Sequence, residues 1–312
     1  MLPFNQLSFW ERKSYLENID FLIIGAGIVG MSTALFLRKK YKNAKITILE
    51  RGYLPTGASS KNAGFTCFGS PTELYDDLKT MDEQLVWDTF SNRYHGLHLL
   101  FDLVGQTTID YTACKSWDLI ENGVNNDITS DFISYINHKA QVITGVDRIY
   151  AEDQQAAIKF GFHQIQTSYS NQLEGAIDTG KLIQALHREL VNAHIDVLYG
   201  MEALSIADHL EGADVDTKYG TVKSSNVIIA TNGFAQKWTD DDIKPARGQV
   251  VVTNEIKELK VKGTFHFEKG YYYFRDVGNR ILLGGGRNLN IDGETTEEFG
   301  ATNQIQDKLN DL

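Results

Sequence analysis

The chain has 312 residues, 42% hydrophobic and 23% charged, with a formal net charge of −11. That length holds one large α/β domain or two layered ones, and the balance excludes disorder as the default. The acidic surplus argues against nucleic-acid partners, and Cys67 and Cys114 lack the CxxC or ligand spacing of a metal site.

Met1-Leu2-Pro3 opens no apolar signal-type stretch, and no apolar run approaches the roughly 18 residues of a membrane span. The cytoplasm is the expected location, without a transmembrane segment. Ser8 to Leu16 reads as a short lead-in helix. Phe21 to Ile24 is an apolar run that enters Gly25-Ala26-Gly27-Ile28-Val29-Gly30 directly. A helical pattern follows, then the apolar run Ile46 to Leu49, closed by Glu50 and Arg51. This is the order of a dinucleotide-binding βαβ unit. Gly25 allows the tight turn, Gly27 lets backbone amides approach a pyrophosphate, and Gly30 lets helix pack on strand. The helix N-terminus offers N–H donors to phosphates. Glu50 stands about 20 residues beyond the last glycine, where an acid reaches ribose hydroxyls.

Gly57-Ala-Ser-Ser-Lys-Asn-Ala-Gly64 has no apolar periodicity and reads as a loop. Ser70-Pro-Thr-Glu73 starts a helix with a capping box and proline at its first position. Val86, Phe90, Tyr94, Leu97, Phe101 and Val104 predict a long helix with one buried face. His95 and His98 lie one turn apart on it, with no third ligand nearby, so no metal site is expected. Thr129 to Ile143 and Glu152 to Phe160 read as helical. Asp178 is placed to cap a helix whose buried face is Leu182, Leu186 and Leu190. Ile195 to Leu198 is a strand, and residues 204–222 look like a meander. Val227 to Ala230 reads as a buried parallel strand delivering a turn at Thr231-Asn-Gly233. Gly248 to Thr253, Gly270 to Phe274 and Arg280 to Leu283 suggest a second sheet.

The fold class is therefore α/β: a discontinuous Rossmann-like layer with an antiparallel-sheet substrate layer. Residues 18–80 plus 175–235 are expected to form the nucleotide-binding domain, and 85–170 plus 245–300 the substrate domain.

These segments together resemble the FAD-dependent amine and amino-acid oxidoreductases of the D-amino-acid oxidase, glycine oxidase and γ-glutamylputrescine oxidase superfamily. The likeness covers most of the chain. It rests on Gly25 to Gly30, Glu50-Arg51, Gly57 to Gly64, Gly175-Ala-Ile-Asp178, Val227 to Gly233, Arg247-Gly-Gln249 and Tyr272 to Gly286. The resemblance implies noncovalent FAD. It assigns the adenosine ribose to Glu50, and the pyrophosphate, ribityl chain and flavin ring to the loop of Ser59, Ser60, Asn62, Ala63 and Gly64 running into Phe65. It sets Met201 to Ala203 by the adenine, and Ala230, Thr231 and Gly233 over the dinucleotide. Ordinary turn chemistry is the alternative reading for these residues.

On the substrate side, alternation puts Tyr271 and Tyr273 on one strand face, and Tyr272 and Phe274 on the other. The resemblance sets the substrate-facing aromatic near Tyr272, the alternative being sheet packing. Arg275 or Arg287 has the bidentate fork that suits a carboxylate, and the competing reading is a solvated hairpin arginine. Relatives usually continue past Leu312, so residues 301–312 are expected to begin a truncated C-terminal segment, with a helix from Gln304. The expected activity is oxidation of the C–N bond of a small amine or amino acid by hydride transfer to flavin, with oxygen or a quinone-linked acceptor. A non-catalytic FAD-binding relative and an NAD-linked dehydrogenase are the alternatives.

Overall fold

The computed structural model describes residues 2–312. Its elements follow the apolar patterning. In chain order they are α1 (Phe9–Tyr15), β1 (Ile19–Ile24), α2 (Ile28–Lys40), β2 (Ile46–Glu50), β3 (Phe65–Thr66), α3 (Pro71–Thr80), α4 (Glu83–Val104), β4 (Ser116–Glu121) and α5 (Ser130–Thr144). Then come β5 (Tyr150–Glu152), α6 (Ala156–Phe160), β6 (Ile165–Asn171), β7 (Gly175–Ala176), α7 (Thr179–Asn192), β8 (Asp196–Tyr199), β9 (Ser205–His209), β10 (Gly212–Thr217) and β11 (Gly220–Ile229). The chain closes with β12 (Val250–Val252), β13 (Thr264–Phe267), β14 (Tyr272–Val277), β15 (Arg280–Gly285) and α8 (Asn303–Asp311).

Helix starts obey local chemistry. Ser70 Oγ accepts from Glu73 N, and the Glu73 carboxylate accepts from Ser70 N at 2.9 Å, with Pro71 at the first helical position. Asp82 Oδ1 accepts from Gln84 N at 2.9 Å and Leu85 N at 3.3 Å, which starts α4. Residues 152–160, expected as one helix, divide instead into the end of β5 and the short helix α6. Among the described residues, no helix is long and apolar enough to cross a membrane.

The chain forms two compact units. The first comprises the residues up to Asn62 with Thr179–Pro245. Its six-stranded sheet has the order β8-β2-β1-β11-β10-β9. The pairs β8–β2, β2–β1 and β1–β11 are parallel, whereas β11–β10 and β10–β9 are antiparallel. One long strand, β11, therefore leaves a meander and ends beside β1, with Ile24 opposite Ile229. The parallel strands are continuous apolar runs because both of their faces are covered. Leu22, Ile24, Leu49, Met201, Val215 and Val222 pack in one buried cluster, and α2 packs against β2 and α7.

The second unit comprises Ala63–Asp178 with Ala246–Leu312. Its seven-stranded sheet has the order β12-β15-β14-β13-β4-β6-β5. Every pair is antiparallel except β13 with β4. Side-chain alternation gives this sheet two unlike faces. One carries Trp117, Leu119, Phe265, Phe267 and Tyr272, which pack with Phe160 of α6 and Ile305 and Leu309 of α8. The other carries Ser116, Asp118, Thr264, His266, Tyr273 and Arg275, as the strand registers align them. A further apolar cluster joins Phe68 and Leu74 to Val86, Trp87 and Phe90 of α4.

Candidate functional site

In the first unit the turn after β1 is set by backbone crowding. Gly25 has φ +107°, and a Cβ there would lie 2.6 Å from Ala230 O. A Cβ on Gly30 would lie 1.9 Å from Gly25 O, so only glycine lets α2 approach the turn this closely. Ala230 N donates to Ile24 O at 2.9 Å, which seats the β11 turn beside the glycines.

Glu50 closes the same site from the end of β2. Its residue is 9% exposed. Oε2 accepts from Ala26 N at 3.0 Å and Oε1 from Gly52 N at 2.9 Å. Each oxygen keeps acceptor capacity beyond these bonds. Ser59 Oγ accepts from Ile28 N at 2.9 Å at the start of α2. The amides of Val29 and Gly30 belong to the first turn, where no intrahelical acceptor exists. Ala203 O accepts from Lys237 Nζ at 3.0 Å, and the Arg51 guanidinium lies over the Phe234 ring at 4.1 Å. Thr231 Oγ1 is buried without a hydrogen-bond partner. Ser60 Oγ donates to Pro55 O at 2.8 Å, and Asn62 Nδ2 to Ser59 O at 2.9 Å, so these two side chains shape the second glycine loop. Gly233 is held against Pro245, where a Cβ would lie 2.8 Å from the proline Cβ.

A glycine turn that a Cβ would fill, an acid bonded to that turn from the end of β2 and an orphaned hydroxyl suit a dinucleotide. The residues present fit the group.

In the second unit, Ala63, Gly64 and Phe65 lead into β3. The Phe65 ring meets the rings of His266 at 5.3 Å and Tyr273 at 5.8 Å, both edge to face. Tyr273 lies across Gly284, where a Cβ would come within 2.6 Å of its ring. Burial raises the pKa of the Tyr273 hydroxyl and lowers that of His266.

Of the two readings of Tyr272, substrate-facing aromatic or sheet packing, its surroundings match sheet packing. It is 1% exposed and its ring stacks on Phe267 at 5.0 Å within the apolar cluster. It belongs to the opposite face of the sheet from Tyr273. Arg275 is not a solvated hairpin residue. Its Nη1 donates to Ala63 O, Gly64 O and Ile177 O. Arg287 Nη2 donates to Thr295 Oγ1 at 3.2 Å, and its Nε is buried without a partner. His95 and His98 both set their rings against Tyr94.

Sequence reasoning missed two buried carboxyls, Glu174 and Asp118. Glu174 accepts from Phe68 N at 2.6 Å, Gly69 N at 3.3 Å and Ser116 Oγ. Asp118 Oδ2 accepts from Thr72 N at 2.9 Å, and Oδ1 is buried and unpartnered. Burial pushes both carboxyls up to about 7, against the opposing pull of those hydrogen bonds. Alternation in Ser116-Trp-Asp-Leu was the available signal.

Residues 20–312 match the family model described as DAO, FAD dependent oxidoreductase. The chain belongs to this family. Its cofactor is FAD, and the NAD-linked alternative falls away. Comparison with curated protein sequences gave no match.

Solved structures share the flavoprotein fold. L-proline dehydrogenase from P. horikoshii superposes with a TM-score of 0.69 at 14% identity, over 95% of this chain and 76% of its own. Glycine oxidase from Bacillus cereus gives 0.68 at 18%, over 94% and 76%. Iminodiacetate oxidase from Chelativorans sp. gives 0.64 at 17%, over 93% and 76%.

Proposed function

We propose that this flavoprotein oxidises the C–N bond of a small amine or amino acid. The observation that carries the reading is the Glu50 carboxylate fastened to Ala26 N of the glycine turn, in a chain whose family is FAD-dependent. The structures sharing its fold include proteins named for glycine, proline and iminodiacetate, all amines that bear carboxylates.

When bound, the flavin supplies a two-electron acceptor for a hydride from the carbon bearing the amine. The chain's own part is binding and orientation. Glu50 takes ribose hydroxyls on its remaining lone pairs, and the first turn of α2 receives the pyrophosphate. Ala203 would lie by the adenine, while Ser59, Ser60 and Asn62, which shape the second loop and tie it to Ile28, would set that loop for the cofactor. Thr231 Oγ1 gains the partner it lacks. On the second unit, Phe65 and Tyr273 form an aromatic wall, and we assign to Tyr273 the substrate-facing part that the resemblance sets near Tyr272. A substrate bound as the neutral amine needs no protein base at the nitrogen. It loses hydride and a proton to become an imine, which water hydrolyses. Oxygen or a quinone-linked acceptor would take up the two electrons.

The FAD is held noncovalently. Cys67, the cysteine nearest the second loop in sequence, has its thiol pushed up to about 12 by burial and by the Glu174 and Glu73 carboxylates. A thiol so disfavoured as thiolate is a poor nucleophile at neutral pH.

Anaerobic mixing with a panel of amines and amino acids tests the reading. Loss of the flavin's visible absorption with one chemical class is expected. A flavin-loaded protein that no amine reduces, but that dithionite does, would contradict it.

A further inference from the structure

Arg275 has the fork that suits a substrate carboxylate, yet its bonds go elsewhere. Nη1 donates to Ile177 O at 2.9 Å, Ala63 O at 3.2 Å and Gly64 O at 3.2 Å, and Nε donates to Asp276 O at 3.0 Å. All four acceptors are backbone carbonyls. The adjacent Asp276 carboxylate turns away to Lys262 Nζ at 3.1 Å and Gly263 N at 2.9 Å. Desolvation lowers the guanidinium pKa, against the pull of the nearby Asp276 and Asp178 carboxylates.

The place of these carbonyls matters. Gly64 has φ +73°, and its carbonyl also accepts from Ile177 N at 2.8 Å. One residue on, Phe65 pairs with Ala176. Three carbonyl oxygens converging on one point repel each other unless a cation stands between them.

We propose that Arg275 is a positioning residue, a clamp that fixes the Ala63–Phe65 turn against Ile177 and so sets the backbone presented to the cofactor. The cofactor part of this rests on the function proposed above; the clamp does not. Removing the guanidinium leaves three carbonyls facing one another and frees the turn. A lysine restores the charge without the fork, so it rescues in part.

Amide deuterium exchange on the cofactor-free full chain tests the clamp. Arg275→Met is expected to speed exchange about ten- to hundredfold in peptides covering 62–66 and 174–178, and to leave 19–30 unchanged. Arg275→Lys falls between. With FAD bound, Arg275→Met shifts the visible flavin band, and KM for an amino acid and for its decarboxylated amine change alike. Unchanged exchange, with KM raised for the amino acid alone, would overturn the proposal and make Arg275 a carboxylate ligand. If Arg275→Met does not fold, Arg275→Lys carries both readouts. A wild-type chain that no amine reduces defeats the proposed function, while the exchange data still decide the clamp.

Discussion

Glu50 Oε2 accepts a hydrogen bond from Ala26 N at 3.0 Å, so the acid at the end of β2 is fastened to the glycine turn that begins α2. The bond joins two sequence features 24 positions apart and makes one site of them. Glu50→Ala removes the acceptor of two backbone amides and, on the function proposed above, a ribose partner as well. A cost of about 1–3 kcal/mol in stability and a further ~10–100-fold loss in FAD affinity are expected. Thermal unfolding of the cofactor-free chain and a flavin titration separate the two effects. Unchanged FAD affinity would remove Glu50 from the site.

Gly30 and Gly96 form a natural contrast. A Cβ on Gly30 meets Gly25 O at 1.9 Å, while one on Gly96, within α4, meets nothing within 4 Å. Gly30→Ala is expected to prevent folding of the first unit or FAD uptake. Gly96→Ala is expected to stabilise by about 0.5–1 kcal/mol, since alanine costs less entropy in a helix. Circular dichroism melts of the two variants check this, and equal melting would contradict it.

The first glycine turn was legible because two apolar runs, three glycines and one acid stand at spacings set by backbone geometry alone. The second sheet was less so. Ser116-Trp-Asp-Leu opens β4 and Thr264-Phe-His-Phe forms β13, yet their polar positions hide both strands in the sequence. Their polar positions are buried: Asp118 and Ser116 face the start of α3 and Glu174, which lie distant in sequence. Alternation likewise separated Tyr272 from Tyr273 without showing which face would be covered. That depended on Ile305 and Leu309 of α8 packing with Tyr272.

The two tyrosines should therefore differ in what they cost. Tyr272→Ala leaves a hole in the cluster with Phe267 and is expected to destabilise by about 3–5 kcal/mol. Tyr273→Phe keeps the ring over Gly284, so stability should hold while the rate of flavin reduction or KM changes. Reversal of these effects would restore Tyr272 as the substrate-facing residue.

Glu174 and Asp118 give stability a pH dependence of defined sign. Their folded carboxyls are raised to about 7, from ordinary values of 4.5 and 3.8. A raised carboxyl binds its proton more tightly when folded, so stability is fullest below the ordinary value and falls as pH rises to about 7. Glu294 acts oppositely. It is bound by Arg247 Nε at 2.8 Å and lowered to about 2, so its contribution is present above 4.5 and lost as pH falls. Melting temperature should thus decline between pH 5 and 7, and Glu174→Gln should flatten that decline. A decline of the same steepness in the variant would show that Glu174 is ionised in the folded chain across this range.

The most direct test of the account is the visible absorption spectrum of the purified chain, supplied with FAD, before and after unfolding. The expected result is a structured flavin band that stays with the folded protein and passes wholly into the filtrate on denaturation. A folded chain that remains colourless at any FAD concentration would contradict the central claim.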